Sequence, residues 1–198
     1  MMQKRKRLTP EIRAKQIVDA AAAVLLNQGT LPLSPERLRE VTGVSKALIY
    51  AYFPTQHDLL NALLRREFEA LTAAGMRKAV KKTPLREAAI SCALIYFEHI
   101  ADVGPLAHLI LREHYMVGNV DEENRSARNR MILPLARAAR RELLLAAKEN
   151  IAAINLVITI PEEAGRLVHI GELNRDTARE LCVRLVNSSI SALAPTKR

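Results

Sequence analysis

Residues 34–53, SPERLREVTGVSKALIYAYF, carry start and stop signals so closely spaced that only two short helices about a tight corner fit between them. Ser34 before Pro35 opens a helix: the hydroxyl accepts an orphan amide of the first turn, and proline at the next position gives up no donor the helix needs. Leu38 and Val41 fall on one face. Gly43 stands where the chain must turn, because glycine reaches left-handed backbone angles that a side chain would penalise. Ser45 caps a second helix, 45–53, which sends Val44, Ile49 and Phe53 inward and Lys46, Ala47 and Tyr50 outward. A cation, a small residue and an aromatic hydroxyl thus share one exposed side. Two short helices set steeply about a glycine turn are the arrangement that lays a recognition helix in the major groove of duplex DNA.

The run GVSKALIYAYFPTQHDLL resembles the signature of the TetR family of bacterial transcription regulators, roughly A-G-V-S-K-x-x-L-Y-x-Y-F-x-S-K-x-x-L-L. Upstream, RAKQIVDAAAAVLLNQG resembles the family's first helix, with Ile17, Ala21, Val24 and Leu25 at helical spacing and Gly29 closing it. The remaining chain is similar in length and helicity, with a GEL turn at Gly171 to Leu173 ahead of a last apolar helix. The resemblance implies an all-α fold: an N-terminal three-helix helix-turn-helix DNA-binding domain with a basic arm, residues 1–54, and a C-terminal helical ligand-binding and dimerisation domain, residues 55–198. It implies that Lys46, Ala47 and Tyr50 meet bases or nearby phosphates, and that Ser34, Ser45, Tyr52 and Gln56 touch the DNA backbone, with Thr42 in the same set. Helix capping by Ser34 and Ser45 is compatible with this, since a capped helix start is also where phosphate is favoured. The sequence departs from the pattern in four places. Gln56 stands where the family carries a lysine, Ala51 where it carries histidine or tyrosine, Arg39 where it carries a small residue, and Thr42 where it carries alanine.

Charge leads to the same class of partner independently. The chain has 198 residues and a formal charge of +9. Residues 1–82 hold 15 Lys and Arg against 7 Asp and Glu, a net of +8, while residues 83–198 hold 15 against 14, a net of +1. A polyanion-binding head on a near-neutral body has this footprint. Lys4, Arg5, Lys6 and Arg7 form an arm with no apolar periodicity, able to reach phosphates or a minor groove, or equally to act as a solvated tail. Charge alone would also permit RNA or an anionic membrane surface; the turn glycine, the capped second helix and the apolar last helix favour duplex DNA. No apolar stretch is long enough for a membrane span or a secretory signal. Cys92 and Cys182 sit inside apolar helical patterns without metal-ligand spacing, which suits reduced thiols in a cytoplasm. Neither a Gly-rich phosphate loop nor a G-x-S-x-G or H-E-x-x-H motif occurs, so neither catalysis nor a cofactor is expected.

The rest of the chain is predicted helical. Leu59, Leu60, Leu63, Leu64, Phe68 and Leu71 give the fourth helix an apolar stripe that links head to body, ending near Lys81 and Lys82. Further helices are predicted over 84–101, 105–115, 121–149 with Pro134 as a kink, 161–170 and 175–193. Residues 151–160, IAAINLVITI, are rich in β-branched side chains, but a lone strand would have no partner, so helix or extended connection is favoured.

The resemblance assigns an effector pocket to the body, for which Tyr96, Phe97, His99, Ile100, His108, Leu111, Tyr115, Met116 and Met131 are the candidate lining. The effector would be a partly apolar small molecule. The histidines and glutamates among them follow no metal-site spacing, and no metal is expected. Ala178, Leu181, Cys182, Leu185, Ser189 and Ala192 share one face of the last helix, where small residues allow close approach. The family's dimers pair such helices, and two heads about one DNA turn apart would match a palindromic operator. The implied function is repression released by ligand, with a ligand-responsive activator as the alternative.

Overall fold

The computed structural model describes residues 9–195, so the arm residues Lys4, Arg5, Lys6 and Arg7 lie outside it. Among the described residues every regular element is helical. The head comprises α1 (Pro10–Gln28), α2 (Pro35–Thr42) and α3 (Lys46–Tyr52). The body consists of α4 (Gln56–Ala73), α5 (Met76–Ala79), α6 (Leu85–Val103), α7 (Leu106–Arg112), a 3-10 turn at His114–Met116, α8 (Glu122–Leu143), α9 (Ala147–His169) and α10 (Arg175–Leu193).

Capping chemistry explains the ends. Thr9, Ser34, Ser45, Thr55, Asp121 and Asn174 each accept a first-turn amide at a helix start, which satisfies donors that helix geometry leaves free. Thr55 and Asp58 bond each other's backbone reciprocally at the start of α4. Gly29 and Gly43 close α1 and α2 at φ 73° and 64°, conformations that cost a side-chain-bearing residue energy.

Burial organises the helices around α4. Its residues Leu59, Leu60, Leu63 and Leu64 lie in one cluster with Ile17, Leu25, Leu38 and Ile49 of the head. The same cluster runs on to Leu106, Ile110, Met116 and Met131 of the body. Two smaller clusters complete the body: Phe97 of α6 packs with Ala178, Cys182 and Val186 of α10, and Leu85 with Ala138, Ala139, Leu143 and Ile190.

Two expectations are corrected. The fourth helix stops at Ala73 rather than near Lys82, because Gly75 turns left-handed at φ 97° and a separate short α5 begins there. Residues 147–169 form one helix: 151–160 take the helical alternative, and the separate helix start expected at Pro161 is absent, the proline sitting inside α9. Burial of its inner face outweighs the modest helix cost of β-branched side chains. The break falls earlier, at Leu144, whose φ of 57° ends α8, and α9 leaves at 117° to it. Pro134 lies within α8. No single described helix is long and apolar enough to cross a membrane.

Where α9 meets α6 the backbones nearly touch. A Cβ on Gly165 would stand 2.7 Å from Ile100 Cβ and 2.9 Å from the Phe97 carbonyl oxygen. Gly165→Ala should therefore destabilise the fold by about 1–3 kcal/mol through overpacking. A urea midpoint equal to that of the unsubstituted protein would show that the helices separate without cost.

Candidate nucleic-acid interface and body cavity

The interface is built on α3, which is held by a single fully buried side chain. Ile49 is buried, while Val44, Tyr52 and Phe53 pack part-buried against the same core. Ser45 Oγ accepts the Leu48 amide at 3.2 Å and fixes the helix start. With that anchor, Lys46 and Ala47 are exposed and Tyr50 is half-buried on the outer side. Lys46 Nζ lies 5.9 Å from the centre of the Tyr50 ring, so cation and ring stand as one unit. Ser34 Oγ accepts the Arg37 amide at 3.3 Å and remains near the surface. Leu48, 37% exposed, shares the open surface and was missed by periodicity alone.

Two residues expected at DNA are spent inside the head. Thr42 is buried; its hydroxyl donates to the Leu38 carbonyl at 2.6 Å and accepts from the Val44 amide at 3.3 Å. It stabilises the corner instead of reaching a groove. Gln56 accepts the Leu33 amide through Oε1 at 3.0 Å and donates from Nε2 to the Leu33 carbonyl at 2.7 Å. A side chain using both ends of its amide in this way clamps the segment before α2 to the start of α4. The family's lysine at this position could not make the pair, since an ammonium accepts nothing.

The body holds a partly open cavity of about 450 Å³ between α4, α6, α7, α8, α9 and α10. Its walls are mostly aliphatic, with Phe68 and Leu71 of α4 among them. One polar cluster interrupts them. Glu162 of α9 accepts the Tyr96 hydroxyl at 3.1 Å; its other oxygen stands 2.8 Å from His108 Nδ1 and 3.8 Å from Arg112. Burial, and then the neighbouring Glu162 charge, hold the Tyr96 hydroxyl well above its ordinary pKa, so it serves as a donor. Asn150, also buried, donates to the Ala136 carbonyl at 2.8 Å while its Oδ1 has no donor. Burial pushes the Cys92 thiol in the wall up to about 12.

Of the candidate lining residues, Tyr96, His108, Leu111 and Met131 reach the cavity. Five do not. Phe97 faces α10, Ile100 packs under Gly165, and Met116 belongs to the core around α4. Tyr115 stacks on His57 with ring centres 4.5 Å apart. His99 turns to Glu67 of α4, Nε2 to Oε2 at 2.7 Å. Helical periodicity marks which residues are inside, not which neighbour they meet. Glu162, Arg112, Arg128 and Asn150 were overlooked as lining residues; a lone carboxylate continuing the inner face set by Ile154 and Ile158 was the available signal for Glu162. Among the described residues no group of three or more His, Cys, Asp or Glu could hold a metal.

The dimer candidates on α10 also divide. Ala178 and Cys182 are fully buried against α6 within the subunit, which removes them from any surface. Leu181 and Leu185 are 40% and 52% exposed, Ala192 is exposed and Ser189 half-buried. On the adjacent α9, Ile151 and Leu156 are exposed as well.

Comparison with known proteins covers first the head and then the fold. The family profile of bacterial regulatory proteins, tetR family, matches residues 17–63. The HTH-type transcriptional regulator BetI of Rhizobium meliloti (strain 1021) is 41% identical over 54 residues, 27% of this chain and 27% of that protein. A TetR-like transcriptional regulator from Rhodococcus sp. RHA1 has a similar structure, with a TM-score of 0.67 at 20% identity over 93% of this chain and 99% of that one. The transcriptional regulator FadR from Bacillus subtilis, in complex with stearoyl-CoA, gives a TM-score of 0.60 at 18% identity over 93% and 99%.

Gln56→Ala should cost about 1–3 kcal/mol of stability by leaving the Leu33 amide and carbonyl without partners; an unchanged melting temperature would remove the clamp. Cys92 should resist alkylation at pH 8 in the folded protein, since a pKa of about 12 leaves only about one thiolate in ten thousand. Labelling at the rate of a free thiol, read by mass spectrometry, would contradict its burial.

Proposed function

We propose that this chain, a TetR-family transcriptional regulator by its head and its fold, is a repressor that holds a palindromic operator as a homodimer and releases it when a partly apolar small molecule fills the body cavity. The observation that carries the reading is the outward trio Lys46, Ala47 and Tyr50 on a helix anchored from behind by Ile49. Lys46 and Tyr50 reach base edges or adjacent phosphates, and Ala47 allows close approach to the groove floor. Ser34, Ser45 and Tyr52 hold the DNA backbone alongside. Residues 1–54 form the reading head and residues 55–198 the effector and dimer body.

Two features support coupling between them. Phe68 and Leu71 of α4 line the cavity while Leu59 and Leu60 of the same helix pack into the head. Polar links run alongside: His99 of α6 meets Glu67 of α4, and Arg66 of α4 meets Asp19 of α1 at 2.8 Å. A ligand favouring one cavity shape thereby biases the position of α4 and the spacing of two heads. That a neighbour of the same fold holds stearoyl-CoA supports a ligand role for the body. The dimer face is the exposed apolar strip of α9 and α10, Ile151, Leu156, Leu181 and Leu185. Its burial between two copies would remove water from side chains that the single subunit leaves wet.

Selection from a random duplex pool should return a palindrome whose half-sites lie about one helical turn apart; sequences without symmetry would sink the dimeric reading. On the selected duplex, Lys46→Ala should reduce the salt slope by about one if the lysine meets phosphate, or cost about 1–3 kcal/mol and relax specificity if it meets a base. Binding unaltered at every salt removes Lys46 from the interface. Leu185→Asp should shift the protein from dimer to monomer in sedimentation and weaken operator binding.

A further inference from the structure

We propose that Arg39 is a further DNA contact, a cation on α2 that meets a backbone phosphate beside the groove into which α3 fits. The proposal rests on the DNA-binding reading above and adds to it a residue outside α3. Arg39 is exposed in the last turn of α2, and its guanidinium has no ion pair or hydrogen bond among the described residues. The two acids of the same helix are engaged elsewhere: Glu36 accepts the Ser34 hydroxyl at 3.4 Å, and Glu40 pairs with Arg37 at 3.4 Å. On α1, Lys15 pairs with Asp19, and Arg13, half-buried, donates to Gln16 at 2.7 Å. Arg39 and Lys46 are thus the exposed cations that the described head leaves without an acidic partner.

The corner brings the two cations to one side. The Arg39 carbonyl accepts the Gly43 amide at 2.9 Å, so Arg39 stands where α2 turns toward α3. Pro35, one turn earlier on the same strip of α2, lines a shallow hollow with Lys46 and Tyr50. The strip that carries Arg39 therefore borders the outward side of α3. A major groove about 12 Å wide is filled by one helix about 10–12 Å across. With α3 inside, α2 stays over the rim, and the first helix of such a pair crosses the sugar-phosphate backbone there. A guanidinium on that strip meets phosphate oxygens with paired N–H donors, and base edges lie beyond it. Thr42 and Gln56 supply no substitute, since their side chains are spent on Leu38, Val44 and Leu33. Arg39 also stands at the negative end of the α2 dipole, a role that stability would register and salt dependence of DNA binding would not.

The test measures binding of the full chain to the selected operator and to a scrambled duplex of equal length, by fluorescence anisotropy over a salt series. Arg39→Ala should lower the slope of log affinity against log salt by about one per head and weaken binding to both duplexes by the same factor, as loss of a phosphate contact does. Arg39→Lys keeps the charge and should keep the slope. Arg37→Ala removes an equal charge, one already held by Glu40, and should change the slope far less. Melting temperatures of the same variants read the dipole role separately. The proposal is overturned if Arg39→Ala retains the parent slope, whatever its melting temperature, or if Arg37→Ala lowers the slope as far, since net charge alone would then be felt. Weakening confined to the operator would mark a base contact and overturn it too, as would a slope lost in Arg39→Lys. Failure of the unsubstituted protein to bind either duplex would instead remove the DNA-binding reading itself, which separates the two failures.

Discussion

Four leucines on one helix hold the molecule together. Leu59, Leu60, Leu63 and Leu64 of α4 are buried to within 1% of completely, between head side chains and body side chains in one unbroken cluster. Cores pack like crystals and tolerate discrete rearrangements better than graded deformation. Displacing α4 therefore disturbs both sides at once, which is the property a two-state coupling element needs. The polar ties flanking the leucines have the same geometry. Gln56 grips the segment before α2, Asn61 meets Asn124 of α8 through its own carbonyl at 2.9 Å, and Glu67 receives His99. Each is a buried or half-buried bond whose loss would leave a group unpaired, so the helix is positioned by polar chemistry and driven into place by apolar burial.

The head and the body manage their surfaces in opposite ways. In the head, α3 invests one buried isoleucine, which joins Leu38 of α2 and Leu59 of α4 in the core, and leaves most of its remaining side chains open. In the body, long helices enclose more apolar surface than they fill. The crossing of α6 and α9 is close, owing to Gly165, while α9 turns back by 117° from the direction of α8. The cavity lies between that tight crossing and that turn.

Local chemistry made much of this legible. Serine, proline and glycine at 34, 35, 43 and 45 located α2, the corner and α3 within a residue, because caps and left-handed turns depend on the residue itself and its immediate neighbours. The same was true of Gly104 and Pro105 between α6 and α7. The legible part ended where partners come from afar. Nothing near Gln56 in the chain announces that its amide will find Leu33, and nothing near Phe97 or Ala178 distinguishes a cavity wall or a dimer face from a contact between α6 and α10. Pro161 reads locally as a helix start, yet α9 runs through it because its buried face outweighs one missing hydrogen bond.

By itself, then, the order of residues determined an all-helical chain, a capped helix-turn-helix and an outward lysine and tyrosine beside a concentrated positive charge. These arise from backbone preferences and periodicity, which act over a few residues. Only the tertiary structure decided that Thr42 and Gln56 serve the fold, that Glu162 and two arginines line a cavity, and that Leu181 and Leu185 stay wet while Ala178 and Cys182 do not. The reason is that a helix face has no intrinsic destination: burial assigns it one only when another helix arrives.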